Sequence, residues 1–552
     1  MQEVRGARLI RHLERGVAIT ATAILVGLHL TFLFSAGPFW RDEVNCVNVA
    51  SLSSLKETWA NLQYDSFPIF WFVVLRAWMR IGPGGSDFGI RTLGLLIGLG
   101  ILAVLWRNAR VFGHSVPLVS LIFLGFNSAV ISYGDSIRGH GLGVLTGLLT
   151  FGLIWEASDT PTPRRLGLAM VAALVGVHCL YFNAVFILAA CGGGAAVALG
   201  RKSWRSAGWI VGIGAVCAIS LLPYARTIGS MREWDQILRV DVDVTWIWRK
   251  VEEAFASTGG WIPWVWIGSA VLGVAATVRV QCRGPASGVS ERERDAALYC
   301  AVALVAGLCA YVAFLKNLGY FTQPWYYIPL MALVAGCLDA TLGLLARTLA
   351  ARGTLLALVV VVAALVIQPV WTAVRTRKTN VDLVASKVGE MAVKGDLIVV
   401  TPWEVGITFD RYYHGKADWI TIPPLSSHMF HRYDLLMEKM RSSRPMASVL
   451  EGIQRTLQEG HRLFWVGDLY VPKEGEVPPD PPPAPRAPWG WNAGHYYYYW
   501  GLQAGYLLQS HAQKAAAIDV PLPQAVNGYE DKSLYVIDGW RDGERIRQQT
   551  LR

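Results

Sequence analysis

The apolar residues of this chain are gathered into long blocks between about residue 17 and residue 372, after which the sequence turns polar. That segregation limits the fold more than any other feature. A helix needs about 20 apolar residues to cross a bilayer. A backbone inside lipid must satisfy its hydrogen bonds within helices or closed barrels. The blocks are continuous rather than alternating, so helices are expected. Composition agrees: 53% of the 552 residues are hydrophobic and 16% are charged, against about 25% charged in soluble chains. The expectation is an α-helical polytopic membrane domain over 1–378, followed by a soluble α/β domain over 379–552.

Candidate spans fall at 17–37, 88–106, 116–133, 139–156, 166–182, 183–200, 206–223, 261–279, 296–315, 324–346 and 354–372, about eleven passes of bilayer length. One segment is ambiguous. Residues 67–82 (FPIFWFVVLRAWMRIG) are apolar but short, and carry Arg76 and Arg80. If they cross, Arg107/Arg110, Arg164/Arg165 and the 201–205 cluster lie outside. If they rest on the outer surface or re-enter, those clusters join Arg279–Arg294, Arg347–Arg352 and the basic N-terminus inside. The enrichment of Lys and Arg in cytoplasmic loops selects the second arrangement. The N-terminus is then inside and the tail outside, together with 38–87, 134–138, 181–183, 224–260 and 316–323. The basic run RTRK at 375–378 is the exception and lies outside, near lipid headgroups. The first block lacks a small-residue cleavage site and reads as a retained anchor.

The net charge of +10 is explained by these orienting loops, so no nucleic-acid partner is implied. Of the 8 Cys, only Cys46 lies in a segment placed outside, and no disulfide framework or zinc spacing follows.

In the tail, GDLIVV (395–400), WITI (419–422), RLFWVGD (462–468) and SLYVID (533–538) read as strands, with helices over 403–414, 431–442 and 446–459. Alternating strands and helices give an α/β layer. The stretch 477–489 is Pro-rich and should be an extended loop. Residues 495–508 (HYYYYWGLQAGYLL) are aromatic on every face, as in a buried or membrane-resting helix or a carbohydrate platform. No Gly-rich phosphate loop opens the tail, so a dinucleotide site is not expected.

Charge beside hydrocarbon is costly and marks candidate sites. Directly after the first span comes Gly37-Pro38-Phe39-Trp40-Arg41-Asp42-Glu43. Residues 43–60 read as amphipathic surface helices. Then come Tyr64-Asp65-Ser66-Phe67-Pro68, next Asp87 and Arg91 at the start of a span, and at another outer turn Tyr133-Gly134-Asp135-Ser136-Ile137-Arg138-Gly139-His140.

This order resembles the GT-C superfamily of glycosyltransferases, especially its protein O-mannosyltransferase and aminoarabinose transferase branches. The matching features are Asp42-Glu43 after the first helix, Ser66-Phe67-Pro68 in place of a His-Pro-Pro-like motif, Arg91 opening the next span, and the Tyr133–Arg138 turn. Two departures stand out. Ser66-Phe67 replaces the usual His-Pro, and the late motif reads Gln323-Pro324-Trp325-Tyr326-Tyr327 without an Arg, so Lys316 is a candidate replacement.

The resemblance implies an inverting transferase, with a sugar donor on polyprenyl phosphate or diphosphate in the outer leaflet. It would act at the periplasmic side of a bacterial inner membrane. Arg forks suit phosphate oxygens, which nominates Arg91 and Arg138, then Lys316 and Arg226. Asp42 is the expected general base. Glu43 orients the acceptor or Asp42, or pairs with Arg41. Trp40, Trp59, Tyr64 and Tyr133 are candidate sugar or acceptor contacts, with interfacial anchoring as the alternative for the aromatic groups. Asp65 and Asp135 are reserve carboxylates and further candidate sugar or acceptor contacts. Two carboxylates and an anionic donor are compatible with a divalent ion, but no dense acidic cluster demands one, so no obligatory cofactor is expected. The acceptor, whether glycan, lipid or protein, is open. The alternatives are a transporter or flippase for a lipid-linked sugar, or a scaffold with a decayed site.

Overall fold

The computed structural model describes residues 2–81, 84–256, 258–473 and 475–542, and the chain divides into two compact units. The first comprises Met1–Ser35, Phe67–Arg226 and Val240–Arg375; the second comprises Ala36–Ser66, Thr227–Arg239 and Thr376–Arg552.

The first unit is helical. Among the described residues, 9 helices are long and apolar enough to cross a membrane, from Arg5–Ser35 to Leu349–Val374, and the protein is an integral membrane protein. Two predicted passes take other forms. Pro163–Cys179 is a helix of 17 residues. The 116–133 block is broken into Leu118–Ser120, a π-turn at Leu121–Gly125 and a helix Ser128–Gly134. The break follows from Asn127, whose side chain accepts a hydrogen bond from Val130 N at 3.1 Å and caps a new helix.

The ambiguous 67–82 segment forms Ile69–Ile81, a helix of 13 residues. At 1.5 Å per residue that is about 20 Å, short of the roughly 30 Å hydrocarbon core. Ion pairs give an independent check. Arg352 pairs with Glu14 of the first helix, and Arg347 donates to Gly288 O at 2.9 Å. Arg292 reaches Asp159 at 3.0 Å and Val111 O at 2.9 Å. Arg201 joins Asp159 at 3.2 Å and Asp295 at 2.6 Å. These contacts gather the Arg-rich loops at the same end as the start of the first helix. Had 69–81 crossed, Arg352 and Glu14 would lie on opposite faces.

The second unit carries a sheet of five strands: β1 (Leu397–Val400), β2 (Asp418–Thr421), β3 (Leu463–Val466), β4 (Ala512–Ile518) and β5 (Leu534–Trp540), in the order β2-β1-β3-β5-β4. β1 is parallel to β2 and β3, while β5 runs antiparallel to β3 and β4. Helices Val405–Tyr412, Tyr433–Arg441 and Ala447–Gln458 make the crossovers. Ile398, Val400, Phe464, Val466 and Leu534 pack with Val384, Val388, Val405 and Phe409 in its core. The Pro-rich 477–489 stretch contains no helix or strand.

Segment 36–66, read from sequence as an outer loop of the membrane domain, packs in this second unit. Gly37 has φ +70°, and a Cβ there would meet the Arg377 side chain at 2.8 Å, so glycine lets the chain turn off the first helix. Lys378 N then donates to Ala36 O at 2.9 Å, and Phe39 N to Tyr412 Oη at 2.8 Å. Asn48 Nδ2 donates to Met429 O at 2.8 Å. The expected surface helices are Arg41–Ser51 and Leu55–Ala60. The first is buried on most sides, from Asp42 through Val47 and at Val49 and Ala50, so it is not the amphipathic surface helix expected from the sequence.

Candidate active site

In the second unit, Trp40 is the N-cap of helix Arg41–Ser51, and Asp42 and Glu43 occupy its first turn. Acidic side chains stabilise this positive end of a helix. Their burial is unusual for first-turn acids: Asp42 is 9% exposed and Glu43 0%. Asp42 Oδ1 lies 3.6 Å from Arg41 Nε and 3.3 Å from His431 Nε2. Burial opposes the charge on Arg41, but Asp42, Glu530 and Glu404 outweigh it and raise its pKa.

Glu530 is a further buried carboxyl. Its Oε1 accepts from Arg41 N at 3.2 Å and from Thr408 Oγ1 at 3.0 Å. Burial pushes Glu530 up to about 7, with Arg41 acting against the shift. Beyond it, Tyr497 Oη donates to Glu404 Oε1 at 3.2 Å and accepts from Trp403 Nε1 at 2.7 Å. Burial, then the Glu404 charge, hold Tyr497 well above the usual phenol range.

Of the aromatic candidates of this unit, Trp59 is exposed, and Trp40 and Tyr64 are braced by protein. Trp40 is 2% exposed, with Arg41 Cζ 5.5 Å and Lys378 Nζ 6.0 Å from its ring. Tyr64 stacks with Trp234 at 5.6 Å and Phe430 at 5.8 Å. Arg432 lies over the same ring, and Tyr64 Oη donates to Asp434 Oδ2 at 3.3 Å. Asp65 accepts from Asn45 Nδ2 at 2.9 Å, Cys46 Sγ at 3.0 Å and Ser66 N at 2.7 Å. These bonds tie the 62–66 turn to the helix that carries Asp42.

In the first unit, the 133–138 turn with Tyr133, Asp135 and Arg138 lies against the helix that carries Arg91. Helix Asp87–Val111 presents Arg91, Gly94 and Gly98 on one face, at helical spacing. A Cβ at Gly94 would lie 1.9 Å from Asp135 O, and one at Gly98 would lie 2.4 Å from Asp135 Oδ1. The two glycines therefore let the 133–138 turn press against the helix, as small residues do between membrane helices. Asp135 Oδ2 is 2.6 Å from His29 Nδ1 of the first helix, and both side chains are buried. Arg138, at the N-cap of Gly139–Asp159, has Phe67 and Trp325 rings 5.2 and 5.5 Å from its Cζ. Tyr133 packs on Trp325 at 4.9 Å.

Burial separates the four cationic candidates. Arg91 is 1% and Arg138 6% exposed. Lys316 is exposed in the last turn of Glu291–Leu318, where a cation complements the helix dipole. Arg226 is exposed at the start of Ala225–Leu238. Sequence reading missed His431, Glu530, Glu404 and His29. Only His29 carried a signal, as a lone ionisable group inside an apolar span. Among the described residues, no group of three or more His, Cys, Asp or Glu is arranged to hold a metal ion.

No protein-family model and no curated protein matches the sequence. Solved structures do. The oligosaccharyltransferase of Archaeoglobus fulgidus in its apo form matches with a TM-score of 0.50 at 10% identity, covering 94% of this chain and 75% of that one. The ArnT of Cupriavidus metallidurans in its apo state matches with a TM-score of 0.48 at 12% identity, covering 82% and 93%. The arabinosyltransferase EmbB of Mycobacterium smegmatis matches with a TM-score of 0.36 at 13% identity over 59% of this chain, which spans only 30% of the EmbB chain. At such identities a likeness speaks to fold and leaves activity to the site.

Proposed function

This chain has the fold of the GT-C glycosyltransferase superfamily, and from that premise we propose that it is an inverting glycosyltransferase. It moves a sugar from a polyprenyl-phosphate-linked donor to an acceptor at the outer, periplasmic face of a bacterial inner membrane. The observation that carries this reading is the buried Asp42-Glu43 pair, which follows the first membrane helix within a few residues. A carboxylate buried there is costly unless it has work or partners.

Asp42 takes the proton from the acceptor hydroxyl or amine as that atom attacks the anomeric carbon. The carbon–oxygen bond to the phosphate breaks, and its electron pair stays on the phosphate oxygen. Arg91 and Arg138 stabilise that charge as it develops. A single in-line displacement inverts the anomeric centre. Glu43 orients Asp42 or the acceptor. The step as written uses no metal, and full activity in EDTA is expected.

The test uses the purified full chain with a panel of undecaprenyl-phosphate-linked mannose, arabinose and aminoarabinose, and cell-envelope extract as acceptor. One donor should protect the chain against heat and release undecaprenyl phosphate. Asp42→Asn should keep the protection and lose at least about 100-fold in release, the scale of general-base catalysis. Wild-type turnover by Asp42→Asn overturns the base assignment, and silence across the panel overturns the donor class.

A further inference from the structure

The loop from the soluble sheet domain that reaches helix Arg41–Ser51 ends in a residue outside the expected motif. His431 Nε2 lies 3.3 Å from Asp42 Oδ1. The imidazole is fixed from several directions. Its backbone N donates to Asn45 Oδ1 at 3.1 Å, on the same helix as Asp42. Its ring stacks on Tyr433 at 5.9 Å and 13°, and meets the edge of Trp403 at 6.4 Å. The side chain is 12% exposed. Among the described residues, its other ring nitrogen, Nδ1, is buried without a hydrogen-bond partner. A bare lone pair is cheaper to bury unpaired than an N–H, so the proton belongs on Nε2, the nitrogen that faces Asp42.

We propose that His431 is a positioning residue, donating from Nε2 to Asp42 Oδ1 and holding that carboxylate in the orientation from which it accepts the acceptor's proton. This rests on the reading of Asp42 as general base. The tail would then supply part of the reaction machinery, because its loop fixes the carboxylate that the first outer segment contributes. A hydrogen bond to a charged group that orients a base acts on the chemical step and leaves donor binding alone.

The experiment compares His431→Ala, His431→Gln, Asp42→Asn and the double variant His431→Ala/Asp42→Asn. All are tested as the full chain, with the panel donor that the wild-type protein turns over. His431→Ala should lower kcat about 10- to 100-fold, the range for losing a charge-assisted hydrogen bond, with donor KM within about 3-fold. His431→Gln places an amide N–H near the position of Nε2 and should recover most of kcat. The double variant should be no slower than Asp42→Asn alone, because the two groups act as one unit. If His431→Ala turns over like wild type while Asp42→Asn is inactive, the positioning role is wrong and the base reading stands. If Asp42→Asn itself is active, the base reading has failed first. A loss in His431→Ala that Gln does not recover, with a lowered melting temperature, assigns His431 to folding and overturns the proposal.

Discussion

Trp325 lies over the guanidinium of Arg138, with its ring centroid 5.5 Å from Cζ, and Phe67 lies over the same group at 5.2 Å. Each of these aromatic residues lies in one of the two stretches, Ser66-Phe67 and Gln323–Tyr327, where the sequence departs from the resembled motifs. Both are spent on one cation. Ring faces on either side of a guanidinium fix its direction and add a favourable electrostatic contact of their own. Trp325→Ala should therefore raise donor KM roughly 3- to 30-fold, the range of a desolvated cation–π contact, and Trp325→Phe should raise it less. Titration of heat protection with undecaprenyl phosphate reads the same loss. An unchanged titration midpoint in Trp325→Ala removes Trp325 from donor binding.

Burial ranks the cationic candidates. Arg91 and Arg138 are 1% and 6% exposed, whereas Lys316 and Arg226 are exposed. A buried fork that meets phosphate is hard to replace, and a solvated side chain at a helix end is not. Arg91→Lys keeps the charge but loses the planar fork, and should cost at least about 10-fold in kcat/KM. Lys316→Ala and Arg226→Ala should stay within about 3-fold. Transfer assays on the four variants check the order. A large loss from Lys316→Ala would restore it as the substitute for the absent late Arg.

Glu530 makes a pH prediction with a definite sign. Burial raises it from 4.5 to about 7 in the folded protein. Between those values the folded state holds a proton that the unfolded chain has released. Stability is therefore fully present below about pH 4.5 and falls as the pH rises toward 7, by about 3 kcal/mol in total. Glu530→Gln keeps an acceptor for Arg41 N and Thr408 and has no proton to lose. Melting curves across pH 4–8 should show this slope in the wild type and its absence in Glu530→Gln. Parallel curves would exclude a neutral buried Glu530.

The membrane helices were legible because their signal is local: apolar length and the sign of loop charge are both written in consecutive residues. The same is true of β1, β2, β3 and β5, whose runs are β-branched and aromatic. β4 (AQKAAAI) was not, since alanine has little strand preference and an edge strand need bury only one side. Asp42, Arg91 and Arg138 stood out because charge beside hydrocarbon is rare. Their surroundings did not, because they are made by residues far apart in the chain. Nothing near position 42 announces His431 or Glu530. The grouping of 36–66 with the tail depends on hydrogen bonds such as Phe39 N to Tyr412 Oη, which no periodicity encodes. Nothing local sets Gly94 and Gly98 apart from the other glycines of their span; their role depends on Asp135, far along the chain, packing against them.

The sequence offers Asp135 as a sugar contact or reserve carboxylate, and its contact with His29 points to a further, fastening role. A sugar-binding carboxylate would present its oxygens to substrate, whereas here Oδ2 engages His29 Nδ1 at 2.6 Å in a buried site. Gly98 leaves room for the pair, since a Cβ at that position would come within 2.4 Å of Asp135 Oδ1 and 2.6 Å of His29 Nδ1. The contact fastens the turn carrying Arg138 to the first helix, so its loss should appear as stability. Asp135→Ala leaves His29 buried without this hydrogen-bond partner, at a cost of about 1–3 kcal/mol. Gly98→Ala forces the pair apart by overpacking, at about 1–3 kcal/mol. Both variants should melt earlier, and the folded fraction should keep donor KM within about 3-fold. Melting temperature and KM are measured on the same preparations. A normal melting temperature with a KM raised more than about 10-fold in Asp135→Ala would return Asp135 to the substrate.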